Sequence, residues 1–240
     1  MAISSTARKR DNGQIPIGQL ALNRTLPIAR VLPIFALLFF ANRLASQSPE
    51  PTLLPDLAIH SVDPGRVMFD NFDGSYTSLT KTSPTSILKL RDWIRPLYKP
   101  RFELAETVRW LNPGDRIIVY LGEDGAKVYP LKILEYHEII NDVVDGRPIL
   151  VTYCPLCVSG VVFERRIAGK AVYFGNTSAL YESNMVMYDY ETLSYWVQVS
   201  GEAITGKATG QKLTLLPSMT LTWRQCAAAY SPPGMKRDRC

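Results

Sequence analysis

Tyr153-Cys154-Pro155-Leu156-Cys157-Val158-Ser159-Gly160 lies between two apolar runs, Ile149-Leu150-Val151 before it and Val161-Val162-Phe163 after it. The runs have the length of strands, so the eight residues read as the end of one strand, a turn and the start of the next. Two cysteines separated by two residues place both sulfurs within reach of one metal ion or of each other. The rest of the chain is read outward from that pair.

Upstream, Asp145-Gly146 is a strong hairpin signal. If the hairpin pairs symmetrically about it, Ile139–Val144 faces residues 147–152, and His137 falls near Cys154 on the partner strand. Residues 130–135 fit one helical turn, and residues 136–144 read as a strand, on which His137 and Glu138 point to opposite faces. Farther upstream, residues 102–111 carry Leu104, Val108 and Leu111 at helical spacing and read as a helix ended by Asn112-Pro113-Gly114-Asp115. Residues 116–121 and 126–129 form a hairpin about Gly122-Glu123-Asp124-Gly125.

Downstream, strands are expected over 161–166, 171–174, 185–188, 195–199 and 213–216, with Gly175-Asn176-Thr177-Ser178 as a polar loop. There is no internal repeat. Short strands, tight turns and few helices predict a mainly β (α+β) architecture: an antiparallel sheet or partly closed barrel with a few short helices.

The chain has 240 residues, 46% apolar and 20% charged, as expected of a globular protein. Its four cysteines are too few for a disulfide-dense scaffold. Most of the net charge of +5 resides in the first 50 residues, where Arg8, Lys9, Arg10, Arg24, Arg30 and Arg43 face only Asp11 and Glu50. The remainder is nearly balanced and lacks the basic patch a nucleic-acid binder carries on its folded part.

Residues 1–48 read as a basic leader. Its apolar run, residues 31–41, has the length of a signal-peptide core and is short for a membrane span. A secretory signal with a long basic start is the first reading. An uncleaved membrane tether is the second, and the weak cleavage site around Ala45, with Arg43 where a small residue is wanted, supports it. A transit peptide or an upstream start is the third. The first two place the body outside the cytoplasm, exported, periplasmic or membrane-tethered, where thiols tend to oxidise. Residues 49–95 form a proline-rich, irregular lead-in in which Ser86 to Tyr98 includes a short helix stopped by Pro96, and His60 is given no role.

Several motifs occur in one order: residues 126–134, His137-Glu138-Ile139-Ile140-Asn141-Asp142, Val151-Thr152-Tyr153-Cys154-Pro155-Leu156-Cys157, Ser159-Gly160-Val161-Val162-Phe163, residues 180–189, Trp196-Val197-Gln198 and Gly201-Glu202-Ala203. In these the body, residues 96–223, resembles the bacterial domain-of-unknown-function family 3179. The resemblance implies an exported or membrane-tethered bacterial domain and supplies no activity. The family runs on past Trp223 through another helix and strand, whereas residues 224–240 here are atypical and read as a truncated end.

Three kinds of chemistry are open to the cysteine pair. As a metal site, Cys154, Cys157 and His137 offer two thiolates and an imidazole, a soft set suited to copper before zinc. Met185 and Met187 share a strand face and are weaker candidates as thioether ligands, with core packing the plain alternative. As a redox site, Cys154 and Cys157 exchange disulfides. The Val158-Ser159-Gly160 continuation reads as turn then strand, so the helix N-terminus of a thioredoxin-type site is not expected. As a binding module, Trp196, Tyr181, Tyr188 and Tyr195 present an aromatic surface around a structural disulfide, though aromatic residues in strands are more often core. His-Glu-x-x-Asn at residues 137–141 lacks the second histidine of a zinc protease motif. No phosphate loop or dinucleotide fingerprint occurs, so no nucleotide cofactor is expected.

Overall fold

The computed structural model describes Ala2, Ile3 and residues 54–230. The leader and its apolar run lie outside the described residues. No helix among the described residues is long and apolar enough to cross a membrane.

The Asp145-Gly146 turn organises the centre of the fold. Asp145 and Gly146 both take positive φ (50° and 76°), the twist that joins two adjacent antiparallel strands. The flanking strands Ile139–Val144 and Arg147–Cys154 pair with Ile139 opposite Thr152 and Val144 opposite Arg147, the symmetric register read from the sequence. Ser159–Glu164 then pairs back on Arg147–Cys154, with Ser159 opposite Cys154. Thr214–Leu216 and, in parallel, Leu97–Tyr98 complete a five-stranded sheet.

A second sheet has six strands in the order Glu202–Thr205, Tyr195–Val197, Asn184–Asp189, Phe174–Tyr181, Met68–Asp70, Tyr76–Ser78. A third joins Ser218–Thr222, Arg116–Gly122 and Gly125–Pro130. Two short pairs, Ala2–Ile3 with Phe102–Glu103 and Arg166–Ile167 with Lys170–Ala171, lie outside these sheets. The helices are short: Pro84–Leu90, Leu131–His137 and Trp223–Tyr230. The architecture is mainly β and antiparallel, with few helices and no closed barrel among the described residues.

Strand alternation sorts side chains into layers. On Arg147–Cys154, Ile149, Val151 and Tyr153 enter one core with Tyr129 and Leu134. Leu150 and Cys154 enter another, with Phe163, Phe174, Met185, Met187 and Trp196. The cysteine strand is therefore buried on both faces, and Cys154 faces the six-stranded sheet. The opposite face of that sheet packs Val186, Tyr188, Tyr195 and Val197 against Phe69 and Ile87. Each large side chain removed from water in this way contributes roughly 1.5–3 kcal/mol.

Three local expectations are corrected. Residues 102–111 do not form a helix. Phe102–Glu103 is extended, Ala105–Thr107 is a single 3-10 turn, and Val108 and Leu111 pack with Trp223. Residues 175–178 are not a loop. They belong to Phe174–Tyr181, whose register shifts between Asn176 and Ala179 in a bulge that buries their polar side chains. Residues 136–138 are not strand. The helix Leu131–His137 runs through His137 and stops at Glu138, whose φ of 56° breaks it. In the lead-in, the short helix expected between Ser86 and Tyr98 is Pro84–Leu90, which ends at Arg91 and not at Pro96, and the strands Met68–Asp70 and Tyr76–Ser78 precede it.

Candidate functional site

Cys154 is the last residue of its strand and Cys157 lies in the four-residue turn that follows, so the two cysteines stand at the tip of a hairpin. The turn closes through Val158, a β-branched residue held at φ 53°. Both cysteines are free thiols, Cys154 buried at 1% exposure and Cys157 exposed. The continuation after Cys157 is turn then strand, as its sequence indicates.

A polar network from the six-stranded sheet reaches the Cys157 sulfur. Asn184 Nδ2 lies 3.1 Å from it and Ser159 Oγ 3.0 Å. Gln198, wholly buried, organises both donors. Its Oε1 accepts from Asn184 Nδ2 and Ser159 Oγ, each at 3.0 Å. Its Nε2 donates to Thr152 Oγ1 at 2.9 Å and to the Ser159 carbonyl at 3.3 Å. Ser159 has one hydroxyl hydrogen for two acceptors. With Cys157 as a thiol, that hydrogen serves Gln198. With Cys157 as a thiolate, it can turn to the sulfur, while the second amide hydrogen of Asn184 still serves Gln198.

These contacts separate the two thiols electrostatically. Burial alone would raise Cys157, but hydrogen bonds from the Cys154 thiol, the Ser159 hydroxyl, the Asn184 amide and the Ser159 backbone amide outweigh it and hold the thiol below its ordinary value. Burial pushes Cys154 up to about 11, and the hydrogen bond it gives Cys157 adds to that, against smaller opposing contributions from the backbone amides of Cys157 and Met185. The exposed thiol is therefore the more readily ionised of the two, and the buried one holds its proton more tightly.

Behind Cys154 lies a cavity of about 50 Å³ whose wall includes Glu138, Asn176, Met185, Asp70 and Phe72. The positive φ at Glu138 lets its carbonyl accept from the Tyr153 amide at 2.8 Å while its side chain reaches this cavity. Asn176 Nδ2 donates to Glu138 Oε2 at 2.6 Å and lies 3.6 Å from Met185 Sδ. Burial raises the Glu138 carboxyl to about 7, with the Asn176 hydrogen bond opposing the rise.

The structure brings Cys154 and Cys157 together, with Met185 on the same cavity wall as Cys154. It does not gather His137 with them into a metal-binding cluster. His137 Nδ1 is paired with the Arg95 carbonyl at 2.7 Å, and among the described residues no group of three His, Cys, Asp or Glu side chains is arranged to hold a metal ion. Met187 is fully buried in the core beside Trp196. Trp196, Tyr188 and Tyr195 are buried core residues, and Tyr181 is partly buried beside them.

Sequence reasoning missed Glu138, Asn184 and Gln198 as site residues. Gln198 did carry a signal: an amide side chain next to Trp196 and Val197 in an apolar strand needs buried partners. Glu138 was hidden by the strand reading of residues 136–138.

No curated protein and no solved structure matches the chain. The family described as a protein of unknown function, DUF3179, matches residues 91–235, a span that includes Glu138, both cysteines, Asn184 and Gln198. The match covers more than half of the chain, which therefore belongs to the family of proteins of unknown function DUF3179.

Proposed function

We propose that this domain carries out thiol–disulfide exchange on polypeptide disulfides, with Cys157 as the attacking thiolate and Cys154 as the resolving thiol. The observation that carries the reading is the asymmetry of the pair: an exposed sulfur with side-chain hydrogen bonds at 3.0 and 3.1 Å next to a buried thiol. In the forward direction the Cys157 thiolate attacks one sulfur of R–S–S–R′, forming Cys157–S–S–R and expelling R′–S⁻. Cys154, once deprotonated, attacks the Cys157 sulfur, closes the Cys154–Cys157 disulfide and expels R–S⁻. The substrate disulfide gains two electrons and the two cysteines lose two. The reverse sequence oxidises a dithiol.

The substrate class is read from the surface around Cys157. The cavity beside Cys154 is about 50 Å³, room for a few waters, and the larger hollow of about 570 Å³ that Asn184, Glu182 and Ser200 line includes neither cysteine. Cys157 instead projects on a turn between the exposed apolar side chains of Leu156 and Val158, a surface suited to another polypeptide. An exported or membrane-tethered position, as the leader implies, would suit such exchange. Copper or zinc on the same two sulfurs is the competing use. Exchange needs only the two sulfurs, whereas a metal ion needs further ligands, and among the described residues no group of three His, Cys, Asp or Glu side chains is arranged to hold one.

The test is the full chain, purified reduced, treated with a mixed-sequence peptide disulfide and followed by mass spectrometry, with metal content measured on the same sample. The expected result is a metal-free protein that forms an intramolecular disulfide, traps a mixed disulfide in Cys154→Ser and reacts poorly in Cys157→Ser. Stoichiometric copper or zinc that disappears in both variants, with no mixed disulfide, would overturn exchange in favour of a metal site.

A further inference from the structure

We propose that Glu138 accepts the proton of Cys154 when Cys154 resolves the mixed disulfide on Cys157. This rests on the exchange reading above and assigns its second step a proton acceptor. The resolving thiol is buried and must lose a proton before it can attack, yet bulk water does not reach it freely: Cys154 is 1% exposed. The cavity behind it is the route available, and Glu138 and Cys154 both line it.

The carboxyl is held for this task by two elements. The break in the helix at Glu138 fixes its backbone to the amide of Tyr153, the residue before Cys154. The bulge in Phe174–Tyr181 presents Asn176, which donates to Glu138 Oε2 at 2.6 Å, so one carboxylate oxygen is anchored and the other remains for the proton. Asn176 is itself braced: its Oδ1 accepts from the Ser178 amide at 2.6 Å, and its backbone amide donates to Asp92 Oδ1 at 2.8 Å.

The other charged or titratable groups around Glu138 have different attachments. Asp70, on the same cavity wall, accepts from the Phe72 amide of its own turn at 2.7 Å. Asp92 accepts from the Tyr188 and Tyr190 hydroxyls at 2.6 and 2.8 Å. His137, on the same helix, pairs with the Arg95 carbonyl, and Cys157 lies beyond Cys154 on the outer side of the turn.

The sequence of events also favours transfer at the right moment. While Cys157 is a thiolate, burial, the hydrogen bond to Cys157 and the charge of Cys157 together keep the proton on Cys154. Once Cys157 carries the mixed disulfide, that sulfur is neutral and the last two effects disappear, while burial remains and makes a nearby proton acceptor necessary. Cys154–SH then gives its proton to the Glu138 carboxylate, and the Cys154 sulfur bonds to Cys157 as R–S⁻ departs. The Glu138 carboxyl afterwards returns the proton to solvent, and R–S⁻ takes one up there.

The test uses the full reduced chain mixed rapidly with the chromogenic disulfide dithiobis(nitrobenzoate), which releases one coloured thiolate on attack by Cys157 and a second on attack by Cys154. Wild type is expected to show two phases, the second rising through an inflection near pH 7 that belongs to Glu138, in addition to whatever pH dependence Cys157 ionisation gives the first. In Glu138→Gln, which keeps an acceptor for Asn176, the second phase slows by at least tenfold at pH 7.5 and loses the inflection, while the first phase is unchanged. Asp70→Asn keeps both phases and the inflection. A second phase untouched in Glu138→Gln, both phases slowed alike, or an inflection that moves with Asp70→Asn would overturn the assignment. Should Glu138→Gln fail to fold, a wild-type second phase without the inflection also overturns it. No second phase in wild type is a different failure, that of the exchange reading itself.

Discussion

The side-chain amide of Asn184 meets the Cys157 sulfur at 3.1 Å, joining the six-stranded sheet to the turn between two interior strands of the five-stranded sheet. Asn184 is the first residue of its strand, and its Oδ1 accepts from the Val199 amide at 2.9 Å, so the amide cannot rotate away without losing a backbone partner. Replacing it by aspartate keeps the shape, removes the donor and sets a negative charge beside the sulfur. Asn184→Asp is expected to raise the Cys157 thiol and to slow its alkylation by iodoacetamide at pH 7 by about tenfold, the scale of one lost hydrogen bond to a charged group. An unchanged rate–pH profile would remove Asn184 from the activation of Cys157.

Gln198 is a stability residue as well as an organiser. It is fully buried, and its amide serves Asn184, Ser159 and Thr152 at once. Gln198→Leu leaves those groups short of partners in the interior. The expected loss is about 2–4 kcal/mol, from several buried polar groups unsatisfied together. Denaturant unfolding followed by tryptophan fluorescence measures it, and a loss below 1 kcal/mol would mean that water replaces the amide.

The hairpin that carries the cysteines was legible because its signals are local. Asp145-Gly146 demands a turn with positive φ, and pairing symmetric about that turn sets the register on either side. Met185 and Met187 were legible as one face for the same reason. Residues 102–111 misled because Leu104, Val108 and Leu111 satisfy a helical period in a window too short to be helical alone, and tertiary packing on Trp223 decides instead. Glu138 misled because a single residue at φ 56° separates helix from strand and redirects its side chain. Asn184 and Gln198 reach Cys157 only through the packing of two sheets, which no local pattern encodes.

The raised Glu138 carboxyl makes stability depend on pH. Its value of about 7 in the folded protein stands above that of an unfolded glutamate, so the folded state holds the proton more tightly. That contribution is fully present below about pH 4.3 and is lost as pH rises through 7. Its size is on the order of 3 kcal/mol. The wild-type protein is expected to lose stability between pH 5 and 8 relative to Glu138→Gln, which carries no such group. Denaturant midpoints of the two proteins at pH 5, 6, 7 and 8 give the difference, and parallel curves would show that Glu138 is not titrating in this window.

Val158 closes the cysteine turn at φ 53°, where a β-branched side chain meets its own backbone. Its side chain is half exposed at 51%, so little packing compensates the conformation. Glycine adopts this conformation without a Cβ conflict, at the cost of more freedom in the unfolded chain. Relief of strain outweighs that cost for a β-branched residue, and Val158→Gly is expected to raise stability by about 1 kcal/mol. The same change loosens the turn that presents Cys157, so exchange with a peptide disulfide is expected to slow even as the fold gains stability. Unfolding and exchange rates measured on one preparation separate the two effects. A variant less stable than wild type would show that the Val158 side chain packs more than its exposure indicates, and a faster exchange would mean that the rigid turn restrains Cys157 rather than presenting it.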